Sequence, residues 1–144
     1  MKKPGCWKNE SGWTAVELTL VAGIAVLLAS SMVPPIQRTI AQYRLDTAAY
    51  AISGDLQLAK IQALKKNAPV SLSINVQAAS WGITGVGTRF LPARVSFGTQ
   101  TPSSVGFNSR GRSTATSDQT VTLTNAASQT RTVVLSPSGK ITVN

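Results

Sequence analysis

Three hydrophobic rhythms follow one another along the chain. Residues 18–36 form an uncharged run in which only Thr19, Ser30 and Ser31 are polar. Beyond it, Leu45, Ala48, Ala49, Ile52, Leu56, Ala59 and Ala63 recur at intervals of three and four, with Ile61 and Leu64 widening the stripe. This is the period of an amphipathic helix. Gln42, Arg44, Asp46, Gln57 and Lys60 fill its other side, and Lys65 and Lys66 suit the C-terminal end of the helix dipole. Asn67-Ala68-Pro69 then stops it. One long helix is predicted over residues 14–66. After Pro69 the period falls to two: Val70, Leu72, Ile74 and Val76 alternate with Ser71, Ser73 and Asn75, as in a half-buried strand. Further strands are expected at 80–84, 93–97, 105–107, 120–124, 130–135 and 140–143, the last three as an antiparallel meander. Gly85-Val86-Gly87, Thr101-Pro102-Ser103, Ser109-Arg110-Gly111 and Ser136-Pro137-Ser138-Gly139 separate them as turns. A helix followed only by strands predicts an α+β fold, with the helix laid on one face of an antiparallel sheet.

The uncharged run is long enough to span a bilayer core of about 30 Å as a helix. Lys2, Lys3 and Lys8 precede it and Arg38 follows, a bias that favours a cytoplasmic N-terminus. A secretory signal peptide has a shorter apolar core with its cleavage site behind it. A buried helix of a soluble protein is the other alternative, and a membrane-inserted helix fits best. Glu17, at the start of the run, is costly inside a membrane unless it is hydrated at the interface or paired. Cleavage after Gly12 would place the new amine of Trp13 four residues before Glu17. The amine of a neighbouring chain could then neutralise the carboxylate.

The segment Gly12-Trp13-Thr14-Ala15-Val16-Glu17-Leu18, between a short basic leader and a long apolar helix, resembles the type IV pilin signal. The resemblance implies that residues 1–12 are a leader and that a prepilin peptidase cuts between Gly12 and Trp13. It also implies that Trp13 is N-methylated and that Glu17 guides docking into a filament. Pro34 lies where pilins often carry a helix-loosening proline. Trp13 stands where the family usually has phenylalanine or methionine, and Ala15-Val16 where it has leucine or isoleucine.

The second half resembles the GspH/FimT family of minor pilins and type II secretion pseudopilins. The likeness rests on the order of Trp81-Gly82, then Val105-Gly106-Phe107-Asn108-Ser109-Arg110-Gly111-Arg112, then a hairpin, then Leu135-Ser136-Pro137-Ser138-Gly139-Lys140-Ile141. It implies three parts: the leader, a transmembrane and assembly half-helix at 13–36, and a pilin-like α+β domain at 37–144. The partners implied are other pilins or pseudopilins, the prepilin peptidase and the bacterial inner membrane. The domain would stand in the periplasm before entering a pilus or pseudopilus. The alternative role is that of a type II secretion pseudopilin, acting in protein secretion without DNA.

Composition argues against catalysis. The chain has no histidine, and its one cysteine, Cys6, lies in the leader. No paired base and nucleophile and no set of metal ligands are left, so no enzyme, metal or cofactor is expected. The glycine-rich stretch 82–87 has no Gly-Lys-Ser ending and reads as a turn region, not a phosphate loop. The charge is more informative: it is +9 overall, and from Ile36 onward eleven Lys/Arg face three Asp. Such an excess attracts polyanions. Arg110, Arg112, Arg131 and Lys140 are the candidates for sequence-independent DNA contact through phosphates. The resemblance adds that FimT-like subunits of competent bacteria bind DNA through a C-terminal Gly-Arg-x-Arg pattern. Gly139-Lys140-Ile141-Thr142 carries only one of its two basic residues.

Overall fold

The computed structural model describes residues 13–144, apart from the side chains of residues 31–35. The leader and Gly12 lie outside the described residues. Helix α1 runs Ala15–Lys66 and eight strands follow: β1 Val70–Asn75, β2 Ser80–Ile83, β3 Gly87–Phe90, β4 Val95–Phe97, β5 Ser104–Phe107, β6 Gln119–Asn125, β7 Thr130–Leu135 and β8 Ile141–Val143. The chain divides into two compact units between Gln37 and Arg38.

Both ends of α1 are set by local chemistry. At its start Thr14 Oγ1 accepts the Glu17 amide at 3.2 Å. Thr14 therefore caps the start of the helix, with the acid Glu17 in its first turn. At its end Asn67 adopts a left-handed φ of 48°. The Ala68 amide reaches the Ala63 carbonyl at 3.3 Å, and the Asn67 amide reaches that of Leu64 at 3.4 Å. This Schellman arrangement, followed by Pro69, closes the helix where its pattern ends.

Within the second unit the predicted stripe is the buried face of α1, except that Ile61 and Leu64, expected to widen it, are 48% and 49% exposed. Leu45, Ala48, Ala49, Ile52, Leu56, Ala59 and Ala63 are each no more than 1% exposed. Four alanines let the helix lie close to the strands, and larger residues opposite fill the space: Leu72, Ile74, Trp81, Ile83, Val105 and Phe107 from one sheet, and Val95, Phe97, Val121, Leu123, Val133 and Leu135 from the other.

The strands form two four-stranded antiparallel sheets, ordered β3-β2-β1-β5 and β4-β6-β7-β8. The predicted meander is β6-β7-β8, with Val133 opposite Val121 and Val143. Trp81 and Phe97 join the sheets edge to face, ring centroids 6.5 Å apart. The antiparallel sheet domain expected under the helix is present, and it is divided in two because β4 pairs with β6 and not with the first sheet. The glycine-rich stretch does hold a turn, but it leads into β3, a strand the sequence reading did not contain. Every residue of β3 is exposed, so no alternation marks it. The strand expected at 93–97 starts only at Val95, because Arg94 has a φ of 68° and makes a turn.

Candidate functional site

In the first unit the described apolar side chains are exposed. Trp13, Val16, Leu18, Leu20, Val21, Ile24, Val26, Leu27 and Leu28 are all between 48% and 78% exposed. The helical backbone continues through Pro34. Among the described residues no helix is long and apolar enough to cross a membrane. Glu17 is exposed at the helix start, and its amide is capped by Thr14. A helix half that is apolar on all sides must be covered by lipid or by other apolar helices.

The second unit gathers basic groups at one end. Asn108 shapes the first of two turns there: its Oδ1 accepts the amides of Arg110 and Arg112, each at 3.0 Å. The Asn108 amide donates to the Arg112 carbonyl at 2.9 Å, and Gly111 takes a φ of 72°. The second turn, Ser136 to Lys140, is closed by the Gly139 amide on the Ser136 carbonyl at 2.8 Å, with Gly139 at a φ of 83°. The Ser113 amide on the Pro137 carbonyl at 3.2 Å bolts the turns together. They touch so closely that a Cβ on Gly139 would lie 2.1 Å from the Gly111 carbonyl oxygen.

Lys60 of α1 completes the joint. Its Nζ donates to the Gly139 carbonyl at 2.9 Å, and a Cβ on Gly111 would meet its Cε at 3.3 Å. The sequence reading placed Lys60 on the solvent face of the helix and missed this role, for which nothing local to position 60 gives a signal. Arg110, Arg112 and Lys140 themselves are exposed. The structure thus brings three of the four candidate cations to one end. Arg131 is apart from them: its Nε pairs with Asp46 Oδ1 at 2.6 Å. It sits opposite Leu123, about 13 Å along β7 from Leu135, which faces Ile141.

A second charged cluster serves the core. Trp81 Nε1 donates to Asp55 Oδ2 at 2.7 Å, and Arg89 Nε reaches the same oxygen at 3.6 Å. Asp55 is only 8% exposed, so this donor matters to it. A cleft of about 150 Å³ beside Asp55 is lined by Ile83, Val86, Gly87, Thr88 and Arg89. Among the described residues no group of three metal-ligating side chains exists.

Two comparisons place this architecture. The Pseudomonas aeruginosa type IV minor pilin FimU superposes in one crystal form with a TM-score of 0.61 at 16% identity, covering 72% of this chain and 90% of that one. A second crystal form of the same pilin gives 0.58 at 15% identity, over 69% and 92%. At such identities the likeness establishes the fold. A search of curated proteins gives no match. The family model described as type II transport protein GspH matches residues 48–139, more than half of the chain. With its long helix on an antiparallel sheet domain and its paired glycine turns, this chain belongs to the GspH family of pilin-like proteins.

Proposed function

We propose that the chain is a minor pilin-type subunit, made with a leader that is removed between Gly12 and Trp13 and then N-methylated at Trp13. It waits in the bacterial inner membrane as a single-pass protein, with residues 38–144 in the periplasm, and is drawn into or primes a pilus-like filament. The observation that carries this reading is the bare apolar half of α1, attached to a domain of the GspH family. Glu17 pairs with the free amine of a neighbouring subunit's first residue, which sets its register. Pro34 lets the helix adapt as it leaves the bilayer, because proline removes a helix hydrogen bond. The work done is assembly, not catalysis. Replacing Glu17→Gln keeps the shape and removes the charge. Membrane levels of the subunit should stay unchanged while its recovery in sheared filaments falls at least tenfold; equal recovery would refute the pairing.

The basic end supports a further role in binding DNA without regard to sequence. Arg110, Arg112 and Lys140 are fixed on two turns that lean on one another, which suits phosphate contacts on a regular backbone. Arg131, already paired with Asp46, contributes less. Residues 38–144 should retard duplex DNA at low salt. Reversing the charge at Arg110, Arg112 and Lys140 should abolish the retardation; unchanged retardation would dismiss these residues. The family's description as a type II transport protein favours a second reading, a secretion pseudopilin that never meets DNA. Absence of any retardation by the native chain would support it.

A further inference from the structure

The second unit carries basic groups at both ends of its helix. Arg110, Arg112 and Lys140 stand at the Lys60 end. The other end, where the chain enters the unit, is built around Arg44, about 24 Å back along α1 from Lys60. Arg44 is exposed, and its guanidinium donates to the Ala93 carbonyl at 3.5 Å. This contact ties the helix to the turn before β4, where Arg94 is exposed at a left-handed φ of 68°. That conformation strains an arginine, where a glycine would adopt it freely. The Val95 amide on the Pro92 carbonyl and the Ala126 amide on the Arg94 carbonyl, each at 3.2 Å, hold the turn in place. Arg38, also exposed, lies six residues before Arg44. Acids do not offset these charges. Asp46, the carboxylate nearest in sequence, is taken by Arg131 at 2.6 Å. Residues 126–129, which border Arg94, are uncharged. Among the described residues Arg38, Arg44 and Arg94 thus have no ion-pair partner.

We infer that this end of the unit binds the headgroups of anionic phospholipids. Arg38 is the first charge after the uncharged run, so a membrane-inserted run sets it at headgroup level. Arg44 lies about 12 Å beyond Ile36 along the helix. The headgroup layer and a long side chain reaching back span that distance together. Tyr43, 71% exposed beside it, has the amphipathic ring that settles at such an interface. Guanidinium groups suit phosphate, which they can bind through two parallel hydrogen bonds. Arg38 and Arg44 lie about 120° apart around α1 and reach out on different sides of it. Lipid surrounds a single-pass helix on all sides, whereas a DNA duplex would meet only one. The inference rests on the single-pass reading and adds to it a preference among lipids.

The test uses the full chain purified from membranes and returned to phosphatidylcholine bilayers. These contain a trace of spin-labelled phosphatidylglycerol or of spin-labelled phosphatidylcholine. The ratio of the two immobilised fractions reads the preference for the anionic headgroup. A basic residue near an anionic surface attracts it roughly fivefold, so the ratio averaged over all contacting lipids should be about three. Arg38→Gln, Arg44→Gln and Arg94→Gln together should bring it to about one. Arg38→Gln alone, outside the turn contacts, should already lower it. Arg110→Gln, Arg112→Gln and Lys140→Gln remove the same charge from the other end and should leave the ratio unchanged. An equal fall in both triple variants would overturn the inference, as would a native ratio near one. So would a variant at positions 38, 44 and 94 that loses DNA retardation and keeps its lipid ratio, which would make the cluster a DNA surface. Resistance to carbonate extraction checks insertion separately. An inserted chain without preference sinks this inference alone, and an extracted chain sinks the single-pass reading with it.

Discussion

Single atoms decide how tightly the basic end is built. Gly139 has a left-handed φ of 83° and no room for a side chain, because its Cβ would overlap the Gly111 carbonyl. Gly139→Ala should therefore cost about 2–4 kcal/mol from strain and overpacking together, read as a fall in the denaturant midpoint. A change below about 0.5 kcal/mol, the size of an ordinary surface effect, would mean the turns are not locked. Trp81 presents a second such case. Trp81→Phe retains a ring against Phe97 but removes the donor from the buried Asp55, leaving only the longer Arg89 contact. The loss should be about 1–3 kcal/mol. The double variant Trp81→Phe/Asp55→Ala should lose less than the two single losses summed, since the shared bond can be lost only once. Full additivity would contradict the hydrogen bond.

At the scale of the element, salt dependence tests whether the two turns act as one surface. For each phosphate contact removed, the slope of log affinity against log salt should fall by about 0.9. Neutralising Arg110, Arg112 and Lys140 one at a time should give three such equal steps, while Arg131 should give a smaller one because Asp46 holds it. A large step at Arg131 alone would move the surface to the other end of β7. The elements differ in how far the sequence announced them. The helix was legible because an uncharged run, a three-four stripe and Asn67-Ala68-Pro69 follow one another, whereas the capping Thr14 was not singled out. The meander was legible because Val121, Leu123, Val133 and Leu135 alternate with Thr120, Thr122 and Thr132. Strand β3 was not: its four residues are solvent-facing on both sides, so burial writes no pattern into them. The division into two sheets was also hidden, since it depends on β4 choosing β6 as its partner, and pairing over that distance leaves no local trace. Lys60 was hidden for the same reason, its acceptor being 79 residues away.

On the scale of the whole molecule, the protein combines a self-sufficient unit with one that cannot be stable in water on its own. Residues 38–144 bury the described core, from Leu45 to Leu135. The described side chains of residues 13–30, 36 and 37 are all exposed. The GspH family match covers residues 48–139 and so lies within the second unit. The candidate DNA residues Arg110, Arg112 and Lys140 all lie in the second unit. In the proposed assembly Glu17 takes its matching charge from a free amine, which requires a mature chain that starts at a defined residue. Mass spectrometry of the N-terminus of the protein from producing cells is the most direct test. The account predicts a chain that begins at Trp13 and carries one added methyl group. A chain that still begins at Met1, or one cut beyond Ser30, would contradict it.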